Sequence, residues 1–168
     1  MTNQRTFLLL ITLIGLTLAN CDVKPSESNI ENTVRDYIKT YQERKNYKKF
    51  LSFYSDEIVF EDILNGNRAI GKDNFKLNFD WENPHLVLLT SKPYEVEDLI
   101  IQNNQATITG YFNPFKWHDQ NIEAMYFTTI LTFDEDQKIV KHVNWVNYPP
   151  SLLNLISKGN ANLWINQN

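Results

Sequence analysis

An α+β fold, with helices first and antiparallel strands last, is what this 168-residue sequence predicts. Three observations carry the prediction. Apolar residues recur at helical spacing from Ile30 to Tyr41. Beyond Pro84 they gather in short runs rich in Val, Ile, Phe and Tyr. Asn-, Asp- and Gly-containing breaks separate those runs at hairpin spacing.

The elements follow in order. Ser28-Asn29-Ile30-Glu31 fits a capping box, with Ser28 as N-cap and a Glu three residues later. Ile30, Val34, Tyr37, Ile38 and Tyr41 then form one apolar helix face. Asn46 ends it, and Tyr47, Phe50, Leu51 and Tyr54 supply the face of a second, shorter helix. Arg44, Lys45, Lys48 and Lys49 crowd the junction, either as a solvated helix end or as a face toward anionic lipid headgroups. Glu57 to Ile63 reads as a strand, Asn65-Gly66-Asn67 as a turn, and Lys72 to Phe79 as a short helix. Leu86 to Leu89 is an apolar run, and Val96–Gln102 and Ala106–Phe112 flank the hairpin signal Asn103-Asn104. Asn113 to Asn121 reads as a polar loop holding Trp117 and His118. Two long strands, Ala124–Phe133 and Ile139–Val146, join across Asp134-Glu135-Asp136-Gln137. Pro149-Pro150 stops the sheet, and Ser151 to Ile156 forms one terminal helical turn.

The first twenty residues read as an address. Arg5 is the only charge before Asp22, and the uncharged run Phe7–Ala19 is 13 residues long. A membrane span needs ~20 residues, so this is a secretory signal peptide by length. The run exits at Leu18-Ala19-Asn20-Cys21, which resembles a bacterial lipobox. That resemblance implies cleavage before Cys21, a diacylglycerol on its thiol, and a cell-envelope protein tethered to a membrane. Residues 1–20 are then the signal peptide, 21–28 the lipidated tether, 29–150 the domain and 151–168 a C-terminal tail.

Charge and motifs exclude several classes. Sixteen basic residues stand against 20 acidic ones, a net −4, which lacks the positive field of a nucleic-acid binder. A single cysteine makes neither a disulfide nor a CxxC site. His85, His118 and His142 are too scattered for a metal site, and no Gly-rich phosphate loop, HExxH or GxSxG occurs. No metal and no cofactor are expected.

Three stretches together resemble the nuclear transport factor 2-like superfamily, in its SnoaL-like and ketosteroid-isomerase branches. They are Val34–Tyr37 leading through Phe50–Glu57 into Val59-Phe60-Glu61-Asp62, then Ala69-Ile70-Gly71, then the closing hairpin Leu131–His142. The resemblance covers about Asn29 to Pro149 and implies a cone: a strongly curved antiparallel sheet packed around N-terminal helices, with a pocket at its open end. By the same resemblance Asp62 takes the place of the isomerase general base and Tyr37 that of its oxyanion donor. Thr129 stands where the isomerase has a protonated Asp, so the catalytic set is incomplete.

Alternation along Ile139–Val146 puts His142, Asn144 and Val146 on one face and Lys141, Val143 and Trp145 on the other. The resemblance aims the His142 face into the cone. Tyr37, Asp62, Thr129, His142 and Asn144 are therefore the expected pocket residues, with Asp62 and His142 as candidate proton-transfer groups. The expected occupant is a small apolar or amphipathic molecule. The opposite face, with Val143 and Trp145, is expected to pair with a second copy as a homodimer. An acid/base enzyme (cyclase, isomerase or dehydratase) and a protein-interaction domain remain the alternatives.

Overall fold

The computed structural model describes residues 27–165. The signal peptide, Cys21 and most of the tether lie outside the described residues. Helix α1 (Glu27–Glu43) already includes Ser28, so that residue is inside the helix and not its N-cap. Thr40 O accepts from Arg44 N–H at 3.1 Å, and Arg44 follows the helix at φ 48°, a left-handed position where glycine is usual. Asn46 accepts a hydrogen bond from Lys49 N–H at 2.8 Å and so caps α2 (Tyr47–Ser52).

Strand β1 runs Tyr54–Asp62, and the Gly66 turn returns it as β2 (Asn67–Ile70). Tyr54 thus opens a strand and does not belong to the second helix. Helix α3 covers only Lys72–Lys76, shorter than expected. Then come β3 (Leu86–Leu88), β4 (Tyr94–Gln102), β5 (Gln105–Phe112), β6 (Phe115–Trp117), β7 (Gln120–Ile122), β8 (Met125–Phe133) and β9 (Ile139–Val146). The expected polar loop 113–121 is largely the β6–β7 hairpin. His118 and Asp119 take positive φ at its tip, a conformation that replaces the missing glycine.

The large sheet has the order β2-β1-β9-β8-β5-β4, and β3-β6-β7 form a smaller one. Every neighbouring pair in the large sheet is antiparallel except β1 and β9, which run parallel with Phe60 opposite His142 and Asp62 opposite Asn144. The sheet is curved and unclosed. Register shifts lie between Val96 and Asp98 and between Thr132 and Phe133. Such bulges bend a strand and increase its twist. Gly110 lies opposite the first of them, where a Cβ would stand 2.0 Å from Glu95 O. Only glycine allows that approach.

The core fills the concave side. Phe50 is 0% exposed, and its ring lies 4.8–5.8 Å from those of Trp81, Tyr41, Tyr54, Phe79 and Tyr37. Helix α1 is tied to β4 at two points: Tyr94 Oη donates to Ile38 O at 3.1 Å and Gln42 Nε2 to Tyr94 O at 3.2 Å. After the sheet, α4 (Pro150–Ile156) buries Leu152, and a 3₁₀ turn follows at Ala161–Trp164. This segment packs on the β1–β2 turn. Lys158 N–H donates to Asn65 O, and a Cβ on Gly66 would stand 2.1 Å from Gly159 O, so Gly66 accommodates no side chain there.

Candidate functional site

The concave faces of β5, β8 and β9 present Ile108, Phe127, Thr129, His142 and Asn144 to the helices, as period-2 alternation requires. Together with Tyr37 and Tyr41 of α1, Phe79, Tyr94 and Phe112 they line an inner chamber of about 20 Å³. That is room for one water molecule. Tyr41, Phe79 and Phe112 also border an outer chamber of about 260 Å³. Its other walls include Leu86, Leu88, Phe115, Trp117 and Met125, with Arg44, Asp80 and Tyr148 among the polar groups. The cone therefore has a narrow end, where Thr129, His142 and Asn144 sit among aromatic and aliphatic walls, and a wider mouth that carries the charged groups Arg44 and Asp80.

A hydrogen-bonded chain crosses the narrow end. Tyr54 Oη lies 3.1 Å from the Tyr37 hydroxyl and 3.1 Å from His142 Nδ1. Asn144 Oδ1 accepts from Thr129 Oγ1 at 2.7 Å and lies 2.9 Å from His142 Nε2. An amide oxygen only accepts, so this geometry assigns the proton to Nε2 and leaves Nδ1 as an acceptor facing the Tyr54 hydroxyl, whose one proton the Tyr37 hydroxyl also faces. His142 is 2% exposed, and burial pushes its pKa down to about 4, against which the Asn144 hydrogen bond acts weakly. It is neutral at pH 7 with both ring nitrogens engaged. Burial also raises Tyr37 and Tyr54 well above the usual phenol range, so neither ionises.

Asp62 stands apart. It is 3% exposed but lines neither chamber. Its carboxylate accepts from Tyr148 Oη at 2.5 Å and from Asn65 N–H at 3.4 Å. Burial raises its pKa, while the bonds from Tyr148 and from the backbone of Asn65 and Leu64 pull it back. Tyr148 borders the outer chamber, so Asp62 reaches that space only through the tyrosine.

The structure thus brings Tyr37, Thr129, His142 and Asn144 together and leaves Asp62 behind Tyr148. It also supplies Tyr54 and Tyr148, which the sequence reading did not place at the site. The register shift between Tyr54 and Val59 breaks the alternation that points to Tyr54. On the outer face Trp145 is 47% and Tyr126 64% exposed. Among the described residues no three His, Cys, Asp or Glu side chains gather as a metal site, and no helix is long and apolar enough to cross a membrane.

No protein-family profile matches the sequence, and no curated protein does. Solved structures do. A protein described as a SnoaL-like polyketide cyclase from Shewanella putrefaciens matches at a TM-score of 0.59 and 16% identity, covering 71% of this chain and 90% of its own. An NTF2-like protein of unknown function from Burkholderia pseudomallei matches at 0.60 and 11%, covering 78% and 98%. An epoxide hydrolase of the LEH type from M. tuberculosis matches at 0.58 and 9%, covering 73% and 85%. At such identities the likeness is one of fold, and the curved sheet, its helical cap and these neighbours agree: this chain has the cone fold of the nuclear transport factor 2-like superfamily.

Proposed function

We propose that this protein is a lipid-anchored binding module of the cell envelope, whose cone holds a small apolar or amphipathic molecule. One observation carries the reading: a largely apolar chamber of about 260 Å³ adjoins a narrow end whose few polar side chains are neutral and hydrogen-bonded to one another. Pockets that bind small molecules combine apolar walls with a few fixed polar groups. A base with a pKa of about 4 and no free nitrogen is badly matched to proton abstraction near neutral pH. The acid/base alternative rests on Tyr148, which faces the outer chamber with the Asp62 carboxylate behind it.

Incubation with a ketosteroid and a polyketide-like ketone, followed by mass spectrometry, separates the two. Binding without turnover is expected, and Asp62→Asn is expected to leave that outcome unchanged. Turnover abolished by Asp62→Asn replaces the binding reading with the enzymatic one.

The anchor rests on the lipobox-like run ending at Cys21. Cys21→Ser is expected to move the protein from the membrane fraction to the soluble one, or to leave an unprocessed precursor. An intact mass showing a free Cys21 and cleavage elsewhere overturns it. Two acyl chains suffice for stable anchoring, at ~0.8 kcal/mol per buried methylene.

A further inference from the structure

The cationic junction after α1 reads in the sequence as a solvated helix end or a face toward anionic lipid, yet one of its residues turns inward. Arg44 lines the outer chamber. Its guanidinium lies 5.5 Å over the Trp81 ring, which in turn stacks on Tyr41 with 4° between the ring planes. Its Nε is buried and has no hydrogen-bond partner among the described residues. Among the described residues Arg44 forms no ion pair, whereas Lys49 at the same junction is held by Asp36. Buried polar atoms are nearly always satisfied, so an orphan guanidinium nitrogen on a chamber wall calls for an explanation. The backbone adds a second observation. Arg44 holds φ 48°, a conformation that strains an L residue and that a glycine adopts freely.

We propose that Arg44 is the anion anchor of the outer chamber, and that the occupant is a monoanionic amphiphile: a carboxylate on an apolar chain. The proposal rests on the reading of the cone as a binding chamber and names its ligand class. The guanidinium fork suits a carboxylate, donating through two nitrogens at once. A single negative charge fits because, among the described residues, Arg44 is the one cationic residue on this wall, and Asp80, also on it, opposes a second charge. Asp80 is itself engaged with Glu82 N–H at 3.1 Å. The headgroup stays at the mouth, since the inner chamber holds about one water, has no cation, and contains a neutral His142. The chain then lies against Leu86, Leu88, Phe112, Phe115 and Met125.

Calorimetric titration with decanoate, decan-1-ol and decylamine tests this. Decanoate is expected to bind about tenfold tighter than decanol, because a hydrogen-bonded charge is worth more than a neutral contact. Decylamine is expected to bind weakest. The decanoate preference should shrink as salt rises. Arg44→Gln should bring decanoate down to the affinity of decanol. Arg44→Gly should do the same while thermal unfolding shows a protein no less stable, a combination that a purely structural role for Arg44 does not give. Decanol binding as tightly as decanoate, or a preference that survives Arg44→Gln, overturns the anchor and leaves the binding chamber standing. If none of the three binds, the binding chamber falls and the anchor with it.

Discussion

Replacing Phe50 by Ala lowers the unfolding free energy by ~3–5 kcal/mol, near the upper range for a single core truncation. The ring is completely buried and touches aromatic side chains from α1, β1 and the segment after α3. No flexible neighbour can swing in to fill the void, because those rings already pack on one another: Tyr54 on Phe75 at 4.2 Å and Phe75 on Phe79 at 4.6 Å. The damage also reaches the chamber, since Tyr37, Tyr41 and Phe79 line it and rest on Phe50. Urea denaturation of Phe50→Ala and Phe50→Leu gives the measurement. Leu fills most of the volume and should lose much less. A loss under ~1 kcal/mol for Ala would mean that the cluster closes over the gap and does not hold the helices in place.

His142 makes stability depend on pH between the ordinary histidine value of 6.5 and about 4. Within that window the unfolded chain binds a proton at His142 and the folded chain does not, so stability falls as pH falls. The full difference corresponds to about 3 kcal/mol, reached below pH 4. Asp62 acts in the opposite sense. Its folded pKa is raised above 3.8, so its burial costs more as pH climbs through that region. Comparing wild type with His142→Gln at pH 7 and pH 4.5 cancels Asp62 and every other shared group. The wild type should lose stability on acidification by clearly more than the variant does. Equal losses would show that water reaches His142 and lets it ionise in the folded state.

Several of these features are legible in the sequence for a definite reason. Along β9 from Lys141 onward one face is more buried than the other, so alternation separates His142 and Asn144 from Lys141 and Trp145. The same holds for β8, where Met125, Phe127, Thr129, Leu131 and Phe133 all point inward. The β6–β7 hairpin is hidden because three-residue strands carry too few positions for a period to emerge, and its turn uses His118 and Asp119 where a glycine would signal it. Tyr54 is hidden by the irregularity that follows it in β1. Asp62 has the same inward parity as Phe60, yet Tyr148, 86 residues later in the chain, decides what the carboxylate touches. The neutrality of His142 depends on burial and on which atom meets Asn144, quantities that spacing does not carry.

The parallel pairing of β1 with β9 governs the order in which this chain can acquire its structure. The earliest strand of the sheet lies between β2 and the last strand to be synthesised, with Phe60 beside His142. Until residue 146 is available, β1 has only the short β2 as a strand partner, and the loop that must close to complete the sheet is nearly the whole domain. Closing so long a loop costs entropy before any contact repays it, which slows folding relative to a locally connected topology. Meanwhile β4 and β5 can pair as a hairpin and β8 can join them after the short β6–β7 excursion, leaving an open edge on β8 that β9 covers. A ribosome-bound or truncated chain lacking β9 therefore exposes two unpaired edges at once, and it is there that mispairing and aggregation begin.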